Sequence, residues 1–336
     1  MASAPLLTAS DWPIAASTLP FPAVSRRGLD ATHGGPDAWM PPLRELVRCG
    51  FRHVDLTDNW ARIADLDSGE LESLAECLRE AGVVAASSSL IRRSVIDDRD
   101  GDANLAYTHR ALDAAAALGI TTVSVGLHQP LTDEQRGRLW FWTADGHHDR
   151  PERWDDAVTR LRDLTTHAQQ LGIVLSLELY EDTFLGDAAS TLRLLEAVDS
   201  EWIGVNPDVA NLICLHRPID SWRDLFEQLL PHTNFWHVKN YTRDEHPERE
   251  QFTAAPAHLD VGLIDYRWAF EVAIESGFQG VICMENYGGD GLGVSAWNRD
   301  YLRSLVLPLD DTYSAELGTS RVRQPDLSNL RRSTTA

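Results

Sequence analysis

The chain has 336 residues, enough for two average domains or for one α/β barrel. Its 51 acidic against 30 basic residues give a formal net charge of −21, which repels nucleic acid and anionic membrane surfaces. No apolar run approaches the ~18 residues of a membrane span, the opening "MASAPLLTASDWP" lacks a basic n-region, and Cys49, Cys77, Cys214 and Cys283 show no CxxC spacing or disulfide framework, so a cytoplasmic protein with reduced thiols is expected.

Short apolar runs bounded by turn residues recur eight times in chain order, at 13–19, 51–57, 83–91, 120–127, 173–180, 202–207, 235–240 and 280–286. Between them lie segments of helical period at 38–50, 69–82, 103–119, 152–172, 188–199, 220–230 and 264–277. Four of these close on glycine (Gly50, Gly82, Gly119 and Gly172), the residue that most easily adopts the left-handed cap. Strand and helix alternating with short connections predict a single (β/α)8 TIM barrel over residues 1–308. An open doubly wound sheet is the competing architecture, but no GxGxxG turn follows the first strand. Two stretches depart from the repeat. The connection 128–151 is long enough to be a lid or binding segment. The tail 309–336 has weak apolar periodicity, and reads as a surface strap or a partner contact.

Functional side chains of such barrels project from the C-terminal strand ends. In the second half of the chain four consecutive strands end on Glu178, Asp208, His237 and Glu285. Any one alone is more simply a structural group. Together, three carboxylates would repel one another unless a cation gathered them, and that cation would also accept the imidazole. Three oxygens and one nitrogen suit Mn2+ or Mg2+ first, with Co2+ and Zn2+ as further options. Lys239 lies two residues beyond His237 and therefore on the same side of its strand, either to stabilise a substrate oxyanion or to pair with Asp208 or another carboxylate. Tyr180 and Tyr287 each follow a candidate glutamate by two residues and are expected as pocket walls. His53 and Asp55 on the second strand read as core or supporting groups.

The order Glu178, Asp208, His237, Glu285 resembles the xylose-isomerase-like barrel superfamily of sugar isomerases, epimerases and endonuclease-IV relatives, over about residues 14–305. The resemblance implies one divalent ion on those four residues, with Glu178 and Glu285 exchanging a substrate proton. Many of those isomerases carry a histidine three residues after the aspartate, where this chain has Asn211 in "PDVAN". The stretches "ELYEDTFLGDA", "VNPDVANLICLHRP", "LLPHTNFWHVKNYTRDE" and "ENYGGDGLGVSAWNRDYLR" are most similar to the α subunit of bacterial C-glycoside deglycosidases. That likeness implies cleavage of a 3-oxo-C-glycoside and a small β subunit in a hetero-oligomer. The alternatives are a ketose isomerase or epimerase and, more remotely, a non-catalytic sugar-binding barrel. Elimination needs an acid for the departing carbon. His147, with His148 as fallback, is the candidate, or the two are simply exposed loop histidines. Trp140, Phe141 and Trp142 could stack on a flat aglycone or pack the loop. Asn211, His216 and Arg217 are candidates to reach sugar hydroxyls, the last two alternatively making rim contacts.

Overall fold

The computed structural model describes residues 6–309 and 317–331. In chain order the strands are β1 (Ile14–Ser17), β2 (His53–Thr57), β3 (Val84–Ser89), β4 (Thr122–Val125), β5 (Val174–Glu178), β6 (Ile203–Asn206), β7 (Phe235–Val238), β8 (Asn240–His246), β9 (Gln251–Ala257) and β10 (Val281–Met284). Eight of them form one parallel sheet in the order β6-β5-β4-β3-β2-β1-β10-β7, while β8 and β9 make a separate antiparallel hairpin. The sheet curls until β6 meets β7, where a bridge joins Val205 to Thr233. Asparagine side chains complete this seam. Asn206 Oδ1 accepts the His237 backbone N–H at 2.7 Å, and Asn234 Nδ2 donates to the Leu175 carbonyl at 2.9 Å. Gly204 leaves the room required, because a Cβ there would fall 2.6 Å from the Asn234 side chain. The barrel is therefore nearly closed, and the open-sheet alternative is set aside.

The seven expected helices form at Pro36–Arg48, Ser68–Ala81, Gly101–Ala117, Trp154–Leu171, Ala188–Val198, Trp222–Leu229 and Tyr266–Glu275, and an eighth lies at Gly291–Tyr301. Gly50, Gly82, Gly119 and Gly172 all have φ between 72° and 82°, the left-handed conformation that costs other residues a Cβ clash. Between sheet and helices, Trp12, Trp236, Phe270 and Phe278 form a buried aromatic cluster. The Trp12 indole N–H donates to the Gly280 carbonyl at 2.9 Å, tying the approach to β1 to the approach to β10.

The described part of the tail is a strap across the N-terminal end of the barrel. Its backbone meets Pro231 and Glu201 through the N–H groups of Arg321 and Arg323, at 2.9 and 2.8 Å. The carbonyl of Asp326 accepts from Thr121 Oγ1 at 3.1 Å, the Leu330 carbonyl lies 3.1 Å from His53 Nε2, and Leu327 and Leu330 are buried. This explains His53, whose imidazole serves the bottom of the fold and not the mouth.

At the opposite end the 128–151 connection folds back over the mouth. Thr132 and Gln135 form a capping box that starts a helical turn at Asp133–Arg136. The Asp149 backbone N–H donates to the Asp182 carbonyl at 2.8 Å, and its carboxylate accepts the Phe184 N–H at 2.9 Å. Trp142 is buried, its ring edge-on to Tyr241 and tilted against Tyr287 with centroids 5.4 and 5.7 Å apart.

Candidate metal centre

Glu178 is the last residue of β5, His237 stands inside β7, Glu285 directly follows β10, and Asp208 lies two residues past β6. The barrel geometry brings all four to one place. Each offers an atom within 4.8 Å of the atoms offered by the others, and all four are buried. His237 Nδ1 lies 3.6 Å from Glu178 Oε1, 3.8 Å from Asp208 Oδ2 and 3.6 Å from Glu285 Oε1. His237 Nδ1 and Asp208 Oδ1 have no hydrogen-bond partner although both are fully enclosed. Orphaned buried polar atoms are costly in a folded protein, and both belong to residues of the four that converge. The donor set therefore fits a divalent cation.

Two side-chain cations lie among the three carboxylates. Lys239 Nζ sits 2.6 Å from Asp208 Oδ2 and also contacts Glu285 Oε2. Burial acts to discharge Lys239, but Asp208 and Glu285 outweigh it and hold the ammonium well above the usual lysine range. Burial likewise opposes charge on His237, and Glu285 with Glu178 holds the imidazolium up. Desolvation, the largest single influence, raises Glu178, but His237, His128 and Lys239 together outweigh it, so its carboxyl falls to about 2. Asp208 is pushed up by burial to about 7, against the pull of Lys239. A divalent ion would take over this charge balance and release protons from its ligands.

Around the cluster the expected residues divide. Asn211 Nδ2 donates to Glu178 Oε1 at 3.1 Å and to the Leu179 carbonyl at 2.9 Å, so it braces a ligand. Tyr180 is buried and Tyr287 half-buried beside the cluster. Lys239 Nζ lies 5.1 Å from the centre of the Tyr287 ring, and Trp142 packs on its other neighbours as described. His216 and Arg217 are rim residues: His216 Nε2 accepts the Ala254 N–H of the hairpin at 3.3 Å, and Arg217 pairs with Asp182 at 2.6 Å. These are rim contacts of the kind the sequence allowed for both residues as the alternative to reaching sugar hydroxyls. His147 is exposed and lines an outer groove of about 490 Å³ with Asp97, Arg99 and Asp133, while exposed His148 lies 3.5 Å from Asp182. Neither is brought to the four clustered residues.

Two residues near the mouth were not anticipated. His128, just past β4, is buried, stacks on Tyr180 with ring centres 4.6 Å apart, and has an unpartnered Nδ1. Burial lowers its pKa to about 4 despite the opposing fields of Glu178 and Glu285. The alternation Ser124, Gly126, His128 continues the inward face of β4, a signal hidden by treating 128 as the start of a loop. Arg92, past β3, adopts φ 56°, donates to the Tyr180 hydroxyl at 2.6 Å and lies over the Phe141 ring. A non-glycine residue held in the left-handed region is a strained position of the kind found at binding sites.

Fold and cluster together define the class: a nearly closed (β/α)8 barrel with a metal-competent group of four side chains at the C-terminal mouth. More narrowly, the sequence profile of the xylose isomerase-like TIM barrel matches residues 43–305, and the chain belongs to that family. A xylose isomerase-like TIM barrel protein from Mycobacterium smegmatis, solved in complex with magnesium, is 39% identical, with 90% of this chain and 98% of that one covered at a TM-score of 0.86. The 3-keto-D-glucoside 4-epimerase of E. coli is 16% identical, covering 87% of this chain and 99% of its own at a TM-score of 0.59. The IolI protein with a bound zinc atom is 12% identical, covering 90% and 99% at 0.61. These last two share the fold. No curated protein sequence matches the chain.

Proposed function

We propose that this barrel is the catalytic subunit of a divalent-metal-dependent C-glycoside deglycosidase that acts on a 3-oxo-C-glycoside with a small β subunit as partner. The observation that carries the reading is the convergence of Glu178, Asp208, His237 and Glu285, with two glutamates available to move a proton and Asn211 bracing one of them. The magnesium of the 39% identical relative supports a hard ion, Mg2+ or Mn2+, on this set.

When bound, a divalent cation supplies Lewis-acid polarisation of the sugar ketone and so acidity at the adjacent C–H. The chain's own groups perform the transfers. Glu178 or Glu285 accepts the proton from the carbon between the ketone and the aryl-bearing carbon. The C–H electron pair becomes the new double bond, the bond to the aglycone breaks, and its pair leaves on the aglycone carbon, which takes up a proton. His147 fills that last role only if the lid carries it inward from its exposed position. Lys239, once its carboxylate partners are engaged elsewhere, presents an ammonium to negative charge on a substrate oxygen. Trp142, Tyr287 and Tyr180 bring aromatic side chains to the mouth for an aglycone to pack beside, with Trp142 stacked on Trp140 and Tyr180 on His128.

The test is incubation of the chain with Mn2+ or Mg2+ and a 3-oxo-C-glucoside, with and without a small partner subunit, alongside free ketoses. Aglycone release that requires metal and partner is the expected result. Epimerised ketose from the chain alone, with no aglycone released, would overturn the proposal and assign the ketose epimerase instead.

A further inference from the structure

Behind the metal-competent cluster, the far edge of the His237 ring meets a second set of buried polar groups. Its Nε2 lies 3.2 Å from Ser89 Oγ. Ser89 Oγ donates to Asp55 Oδ1 at 3.0 Å, and Ser87 Oγ donates to the same oxygen at 2.7 Å. Asp55, Ser87 and Ser89 are fully enclosed, and Asp55, the imidazole and Cys283 each offer an atom within 4.8 Å of one another. The direction of these bonds follows from the chemistry. A serine hydroxyl has one proton, and Ser89 gives it to the carboxylate, so its remaining lone pairs can only accept, and they accept from Nε2–H.

We infer that Asp55 and Ser89 are positioning residues for the metal centre: the relay from Asp55 through Ser89 keeps a proton of His237 on Nε2 and aims Nδ1 toward Glu178, Asp208 and Glu285. A ring held this way has only to give up its Nδ1 proton to become a ligand, without reorientation, and a carboxylate behind it raises its donor strength. The inference rests on the metal centre but on neither of the substrates considered for it, so aglycone release and metal affinity report separately.

The test is Mg2+ and Mn2+ binding by calorimetry on the full chain. Ser89→Ala is expected to weaken binding about 10- to 100-fold, with Ser89→Thr restoring it. Ser87→Ala removes an equal hydrogen bond from Asp55 without cutting the link to His237, and is expected to stay within about threefold of the wild type. In Zn2+-loaded protein, nitrogen NMR should show His237 protonated at Nε2 and coordinated at Nδ1. Unchanged affinity in Ser89→Ala, an equal loss in Ser87→Ala, or coordination through Nε2 would overturn the inference. So would two ions per chain, because Asp55 and Cys283 would then be ligands of a second cation.

Discussion

Lys239 shows how a single side chain can both support a site and compete for it. It is buried with its ammonium against Asp208 and Glu285, so three carboxylates are never left facing one another. Removing one member of a buried ion pair exposes the others to uncompensated charge, at about 3–5 kcal/mol. Lys239→Met should therefore lower the melting temperature of EDTA-treated protein sharply and recover most of it in saturating Mg2+. Equal losses with and without the cation would show that the lysine does not share the carboxylates with a metal. His128 sets a different dependence. Its folded value of about 4 lies below the ordinary 6.5, so between these pH values the unfolded chain binds the extra proton. Its contribution to stability is full above about pH 6.5 and disappears as pH falls toward 4. His128→Gln should flatten the fall in melting temperature between pH 7 and pH 5, and parallel curves for the two proteins would refute a buried neutral imidazole.

At the level of elements, the strands and the four residues that cluster at their ends were legible in the sequence for the same reason. An apolar run that stops on an ionisable residue marks both a buried strand and the place where it opens to chemistry, as in "LSLE" and "FWHVK". The hairpin β8–β9 was not legible, because most of its residues are exposed and "NYTRDEH" carries no apolar alternation. The helix Gly291–Tyr301 was hidden by glycines that weaken helical period. His128 and Arg92 escaped because proximity to Glu178 and Tyr180 arises only when neighbouring strands are laid side by side. The 128–151 lid was legible as a long connection, but its contacts were not. Those contacts converge on Trp142, so truncation there acts on lid opening before it acts on the barrel. For Trp142→Ala, limited proteolysis within 128–151 should accelerate about tenfold or more while the main unfolding transition moves by only about 2 °C. A large drop in that transition with no new cleavage site would show the lid to be part of the core.

Over the whole molecule, the two ends of the barrel are specialised. The C-terminal mouth gathers ionisable groups that only balance in combination, whereas the N-terminal end is covered by a strap whose Leu327 and Leu330 are buried. Leu330→Ala, far from the cluster, should reduce stability to urea by about 2 kcal/mol through the cavity it leaves. Its Mg2+ affinity should stay that of the wild type, and a loss of metal binding would reveal coupling along the barrel axis.

The pairing of β1 with β10 also governs how the chain is made. On a ribosome, β1 has only β2 beside it until β10 emerges, on the order of tens of seconds later at ordinary elongation speeds. An open strand edge exposed for so long invites chaperone binding. Glu285 directly follows that strand, so the four residues able to hold a cation can come together only after β10 has emerged.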